Sequence, residues 1–230
     1  MMATPVFLSA LHYVTGRVPP IISAEIDAEI QGIIDSGFTA TTNYKYSLAG
    51  EIEHEYLLPR SAATVELLMA GAAQDYWRAV GRDDLAQKRH FLRRAAATLN
   101  SRDRDLWVNF QKKHEYNPLH FHGGQLSFVI WHRIPYDLAE EQASASHKGA
   151  NQSAGPGTFS FAYPNQFAIQ DGSPRVTGQA RQQVITHDIP LGKEHEGVFV
   201  LFPATLQHMV APFYTSDGYR ISVAGNLDFE

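Results

Sequence analysis

Of the eleven histidines in this chain, three stand where a metal ion would need them. His120 and His122 belong to the run Asn117-Pro118-Leu119-His120-Phe121-His122-Gly123-Gly124, which ends an irregular stretch and directly precedes a strongly β-prone segment. Residues two apart in extended chain project to the same face, so both imidazoles reach one point. Neutral imidazole nitrogen is a good ligand for iron, zinc, copper or nickel. An H-x-H pair alone is a weak signal, because surface and hydrogen-bonded histidines produce it often. A second segment strengthens it. The apolar run from Gly197 ends at Pro203, a short turn follows, and His208 begins the next extended run. Where consecutive antiparallel strands cross one mouth, that histidine faces the H-x-H pair.

Past the turn Asp217-Gly218, the run Tyr219 to Asn226 alternates. Tyr219, Ile221 and Val223 fall on one face, Arg220, Ser222 and Ala224 on the other. An arginine among apolar neighbours on an interior strand needs a partner, since an unpaired buried charge is very costly. The carboxylate of a bound ligand suits it, because guanidinium grips a carboxylate through two parallel hydrogen bonds; an internal salt bridge is the other reading. Elsewhere the chemistry is thin. His54 between Glu53 and Glu55, and His114 beside Glu115, read as polar surface residues. Trp131 and His132 are adjacent on a strand and face opposite sides, so one of them can line a pocket. Nucleophile-elbow, Walker and dinucleotide-binding glycine patterns are absent, as are cysteines, which removes thiolate metal sites and disulfides.

The elements that must position these groups fall into two regions. Up to about residue 100 the apolar spacing is helical. One helix carries Ile26, Ile30, Ile33 and Ile34, with Ser23 as its cap and Gly37 as its stop. A longer one runs from Ser61 to Gly81, and a third from about Asp84 to Thr98 bears Lys88, Arg89, Arg93 and Arg94 on a solvated face. From Leu106 onward short β-rich runs take over: Leu106–Gln111, Leu126–Ile134, Thr158–Tyr163, Gln183–Asp188, Val198–Phe202 and Tyr219–Asn226. Such punctuated strands predict an antiparallel sandwich or barrel, with the helices as a buttress. Glu140 to Gly157, with little to bury, reads as a surface loop.

At 230 residues the chain has the length of one large domain, about 1–100 forming the buttress and about 106–230 the β core. A net charge of −5 with scattered Lys and Arg argues against nucleic acid as a partner. No apolar run approaches the ~20 residues of a membrane span, and Met1 to Ala10 lacks the layout of a signal peptide, so a cytoplasmic protein is expected.

From about Trp107 to Asn226, the H-x-H before a strand, the Leu201-Phe202-Pro203 run, His208, and Arg220 two residues before Ser222 resemble the 2-oxoglutarate/iron(II)-dependent oxygenases, in particular their prolyl-hydroxylase-like branch. The resemblance implies a double-stranded β-helix (jelly-roll, cupin-like) core and an Fe(II) cofactor with 2-oxoglutarate as co-substrate. It also implies hydroxylation of a small-molecule or peptide substrate, with succinate and CO2 as co-products. It puts His120 and His208 in the place of two metal ligands, Arg220 and Ser222 in that of the clamp on the far carboxylate of 2-oxoglutarate, and Asn109 in that of a polar position on the preceding strand.

One departure matters: most of that superfamily has Asp or Glu where this chain has His122. His122 can be the third ligand. Glu115 can fold over to supply a carboxylate. Or His122-Gly123-Gly124 echoes the H-x-G of related halogenases, where a halide takes the missing carboxylate's place. A rival family shares the fold. Cupins also carry H-x-H, and Gly197, Pro203 and His208 fit the spacing of their second motif, with Thr205 replacing its inner glycine. The cupin glutamate is missing, however; Gln125 and Ser127 occupy that neighbourhood, and nothing in a cupin calls for Arg220 beside Ser222. The oxygenase reading therefore leads. A three-histidine dioxygenase independent of 2-oxoglutarate and a non-catalytic jelly-roll binding module stay open behind it.

Overall fold

The computed structural model describes residues 12–45, 50–94, 104–144, 155–164 and 184–230. Along the chain these form β1 (Val14–Arg17), α1 (Pro20–Asp35), β2 (His54–Leu57), α2 (Ala62–Ala79), α3 (Asp83–Ala86), β3 (His90–Leu92) and β4 (Leu106–Gln111). Then come β5 (Asn117–His120), β6 (Leu126–Arg133), α4 (Leu138–Ala143), β7 (Thr158–Pro164), β8 (Val184–Pro190), β9 (Val198–Pro203), β10 (Gln207–Val210) and β11 (Arg220–Phe229).

The strands make two antiparallel sheets. The larger has the order β1-β9-β6-β11-β4-β2, with β3 pairing the far end of β11. The smaller has the order β5-β10-β7-β8. From β4 to β7 successive strands alternate between the sheets, as do β9, β10 and β11, which is the winding expected of a jelly roll.

Side-chain alternation decides what each face of the large sheet does. Leu106, Val108 and Phe110 of β4, Leu126, Phe128 and Ile130 of β6, and Ile221 and Val223 of β11 share one apolar cluster with Ile26, Ile30 and Ile33 of α1 and Val65, Met69, Ala73 and Tyr76 of α2. Each such burial contributes roughly 1.5–3 kcal/mol. The residues between them, Trp107, Asn109 and Gln111, then Ser127 and Val129, then Ser222 and Ala224, face the smaller sheet and line a pocket there. The helices thus cover one face so that the other is free for chemistry.

Several expectations need correction. The helix α1 starts three residues before Ser23, at Pro20, where the missing N–H of proline costs nothing. The third helix is a single turn, α3. After it, Leu227 to Phe229 of β11 pair with His90–Leu92, so Phe91 and Leu92 find strand partners and tertiary pairing overrides helical spacing. The basic cluster is therefore no helical face: Arg89 pairs with Glu230 at 2.7 Å and Arg93 with Asp228 at 3.4 Å. Residues 95–98 of that expected helix lie outside the described ones. The expected loop begins instead with α4, capped by the Asp137 carboxylate, which accepts from Ala139 N and Glu140 N. Its buried Glu141 accepts hydrogen bonds from Tyr214 N, Thr215 N and Thr215 Oγ1, tying α4 to the approach to β11. Residues 145–154 of that loop lie outside the described ones. Among the described residues no helix is long and apolar enough to cross a membrane.

Candidate metal centre and its pocket

His120 ends β5 directly opposite His208 on β10, and their ring centroids are 4.3 Å apart. His122 lies two residues beyond, with its ring 4.9 Å from that of His120 and 5.1 Å from that of His208. One nitrogen from each of the three lies within 4.8 Å of the others. The loop carrying His122 is fastened to the turn before β10: His122 N donates to Ala204 O at 2.9 Å, and Ala204 N to Gln125 O at 3.1 Å. Gly124 is needed there, since its φ is +110° and a Cβ would meet Leu227 O at 3.0 Å.

The donor set suits a metal. His120 Nδ1 donates to Pro118 O at 2.6 Å and His208 Nδ1 to Leu206 O at 3.0 Å, which leaves Nε2 of each as a lone-pair donor. Burial pushes His208 down to about 3 and His122 down to about 4, with repulsion from His120 adding to both. Burial lowers His120 as well, against its bond to Pro118. All three are neutral at pH 7, the form that binds metal. Glu115 does not join them. Its carboxylate accepts from Lys112 N at 2.7 Å and Glu53 N at 3.2 Å, closing its own turn.

Around the triad lies a narrow pocket, partly open to solvent. Its walls include Trp107, Asn109, Gln111, Phe159, Phe202 and Ser222. Asn109 Nδ2 donates to Ser222 Oγ at 3.3 Å, joining β4 to β11 across the pocket wall. Arg220 is 2% exposed and sits behind this wall. Its Nε and Nη2 both reach Gln111 Oε1, at 3.1 and 2.7 Å; Nη1 reaches Tyr136 Oη at 3.0 Å and Nη2 also reaches Ala211 O at 2.7 Å. Every partner is neutral, so the internal salt bridge considered from the sequence does not form among the described residues. Neither Trp131 nor His132 lines the pocket: Trp131 packs on Phe159, and His132 turns outward to Asp27.

Sequence reasoning missed two wall residues, Glu55 and Gln111, and a third residue, Tyr136, that holds Arg220 behind the wall. Glu55, read as a surface residue, is 1% exposed and faces the pocket. Gln111 holds the Arg220 fork, and Tyr136 supports it from below. Glu55 carried a usable signal, because the apolar neighbours Tyr56, Leu57 and Leu58 mark a buried strand. Gln111 carried one as well, since it alternates with Asn109 on the same predicted strand, whereas Tyr136 carried none.

Comparison with known proteins fits this geometry. Residues 105–226 match the family model described as "Putative 2OG-Fe(II) oxygenase". No curated protein matches the chain by sequence. Among solved structures, the chain is similar to the crystal structure of a Pseudomonas putida prolyl-4-hydroxylase, with a TM-score of 0.51 and 12% identity over 95% of this chain and 92% of the other. At that identity the likeness speaks for the fold, a double-stranded β-helix.

Proposed function

We propose, from the premise that this chain belongs to the 2OG-Fe(II) oxygenase family, that it hydroxylates a small-molecule or peptide substrate while 2-oxoglutarate leaves as succinate and CO2. The protein is an Fe(II)- and 2-oxoglutarate-dependent oxidoreductase. The observation that carries the finer reading is the pairing, inside one sandwich, of three neutral histidines with a buried guanidinium that has only neutral partners.

His120, His122 and His208 would hold the iron. His122 is preferred as third donor over Glu115, whose carboxylate is already bonded to two backbone N–H groups. Iron(II), when bound, supplies the redox chemistry that couples decarboxylation of 2-oxoglutarate to insertion of oxygen into a substrate C–H bond. The rest falls to the chain. The Pro118 and Leu206 carbonyls keep His120 and His208 in one tautomer and one orientation. Arg220 supplies the positive charge for the far carboxylate of 2-oxoglutarate. The fork that grips Gln111 Oε1 has the two-pronged geometry a carboxylate wants. Ser222 and Asn109 offer polar contacts on the same wall. Phe159 and Phe202 pack around His208 and keep water from its far side. The helical region up to residue 100 is read as a buttress of this core and not a separate domain, because α1 and α2 share one apolar cluster with the sheet.

The test is anaerobic addition of 2-oxoglutarate to the iron(II) protein. A visible charge-transfer absorption is expected, and its absence together with no measurable 2-oxoglutarate binding would overturn the reading.

A further inference from the structure

Four acidic side chains are buried among the described residues: Glu29, Glu55, Asp105 and Glu141. Three are fully engaged. Glu29 accepts from Arg60 N, Ser61 N and Ser61 Oγ at the start of α2. Asp105 accepts from Tyr44 Oη and Asn226 Nδ2, and Glu141 takes the three hydrogen bonds described above. Glu55 stands apart, since neither carboxyl oxygen has a hydrogen-bond partner among the described residues.

Its position gives that isolation a meaning. Glu55 sits on the edge strand β2 opposite Asn109, which in turn sits opposite Ser222, so the three form one row across the inner face. The row lies two residues, about 7 Å along the strands, from the Trp107 row over which the His122 ring packs. Glu55, Asn109 and Asn117 all line the pocket that holds the triad. Asn109 Oδ1 and, on β5 of the smaller sheet, Asn117 Oδ1 are likewise without partners among the described residues, so the pocket lining includes four unpaired oxygen atoms. Arg220 belongs to the next row, opposite Gln111. The pocket thus carries unpaired acceptors on its lining, while Arg220 stays behind the wall with its N–H groups bonded to Gln111, Tyr136 and Ala211.

Buried acceptors left unpaired cost free energy that a ligand rich in N–H donors returns. We propose that Glu55, with Asn109 and Asn117, forms the substrate subsite, and that it selects a substrate carrying an ammonium or similar N–H-rich cationic group close to the C–H bond that is oxidised. This inference rests on the oxygenase reading of the pocket. Burial raises the Glu55 carboxyl to about 8, the nearby Lys45 pulling it down and Glu115 pushing it up by less. A cation arriving beside it favours the ionised form, so recognition and ionisation are coupled.

The experiment uses the full chain loaded with zinc(II), which is redox-inert, and saturated with 2-oxoglutarate, whose binding is measured first. Calorimetric titrations then compare n-butylammonium with methyl propyl ether, a donor-free probe of similar size. The intact protein is expected to bind the ammonium at least tenfold tighter, and Glu55→Gln is expected to abolish that preference while keeping zinc and 2-oxoglutarate. Infrared difference spectra of the unsubstituted protein give a second readout, namely conversion of a buried protonated carboxyl to carboxylate when the ammonium is added. Equal or undetectable binding of both probes, a preference that survives Glu55→Gln, or no change in the carboxyl band would overturn the proposal. So would loss of zinc in Glu55→Gln, which would make Glu55 part of the metal site. Failure of 2-oxoglutarate to bind at all would strike the underlying reading instead.

Discussion

Replacing Arg220 with Met separates the cost of a buried charge from its use. In the ligand-free protein the guanidinium makes four hydrogen bonds to neutral acceptors at 2.7–3.1 Å while 2% exposed. Met removes a cation whose burial costs several kcal/mol. It also strands the acceptors on Gln111, Tyr136 and Ala211, at about 1–3 kcal/mol for each one left unsatisfied. These terms oppose each other, so the ligand-free stability should shift by no more than about 2 kcal/mol in either direction. Ligand-induced stability should behave differently. At 2-oxoglutarate equal to about 100 times Kd, the zinc-loaded protein gains about 2.7 kcal/mol. Breaking a buried charge pair weakens binding by about 2–5 kcal/mol, or about 30- to 4,000-fold. At the same concentration the variant then gains at most about 0.9 kcal/mol. For a chain of this size, about 1 kcal/mol moves Tm by 2–4 °C. A shift of about 5–11 °C on adding 2-oxoglutarate should therefore fall to about 4 °C or less. Differential scanning fluorimetry with and without 2-oxoglutarate reads both quantities in one series, and Arg220→Lys should recover part of the shift because the charge survives but the fork does not. An undiminished shift in Arg220→Met would refute the clamp. A large loss of ligand-free stability would mean that Arg220 is chiefly a structural residue.

Three further outcomes follow from the triad. His120→Ala, His122→Ala and His208→Ala should each weaken iron(II) or zinc(II) binding by more than about 100-fold, beyond the range seen for residues that merely support a ligand. Metal content after dialysis checks this, and full occupancy in His122→Ala would return the third position to a halide or another donor. Metal affinity should also resist acid. For three ordinary histidines with pKa near 6.5, proton competition at pH 5.5 costs about 11-fold each, or on the order of 1,000-fold together. Here His122 at about 4 and His208 at about 3 contribute almost nothing to that loss, leaving at most the share of His120, about 11-fold. The same depression has a stability counterpart with a definite sign. Histidines that stay neutral when folded but bind protons when unfolded give full stability above pH 6.5, and the metal-free protein loses it as pH falls toward 4 and 3. Zinc competition titrations and urea midpoints across that window measure the two effects.

What was legible in the sequence was whatever strand geometry alone determines. The β4 boundaries, the inward set Arg220, Ser222 and Ala224, and the meeting of His208 with the H-x-H pair follow from period-2 alternation and antiparallel return. What was not legible depends on partners far away in the chain. His90–Leu92 reads as helix until the tail of β11 is placed beside it. The strand β1 is four residues long, too short to show a period, and gains its identity from β9. Glu55 looked solvated because charged residues flank His54, yet its strand neighbours put it inside.

The central strand β11 ties these strands of argument together. Its outward residues Ile221 and Val223 lock into the apolar cluster under α1 and α2, while on its inner face Ser222 lines the pocket and Arg220 is bonded to Gln111 behind it. Because the side-chain period is two, a slip of one residue would send Arg220 into the helices and Ile221 into the pocket. The burial of two aliphatic side chains, roughly 1.5–3 kcal/mol each, opposes that slip before any ligand is bound. The bulge between Ile221 and Ser222 against β6 confines the adjustment to one side of the strand, since pairing with β4 continues unbroken from Arg220 to Gly225. The helical region, which lies outside the residues that the family model matches, therefore acts on function through register. By holding the outer face of β11, it decides which residues the inner face presents toward the pocket.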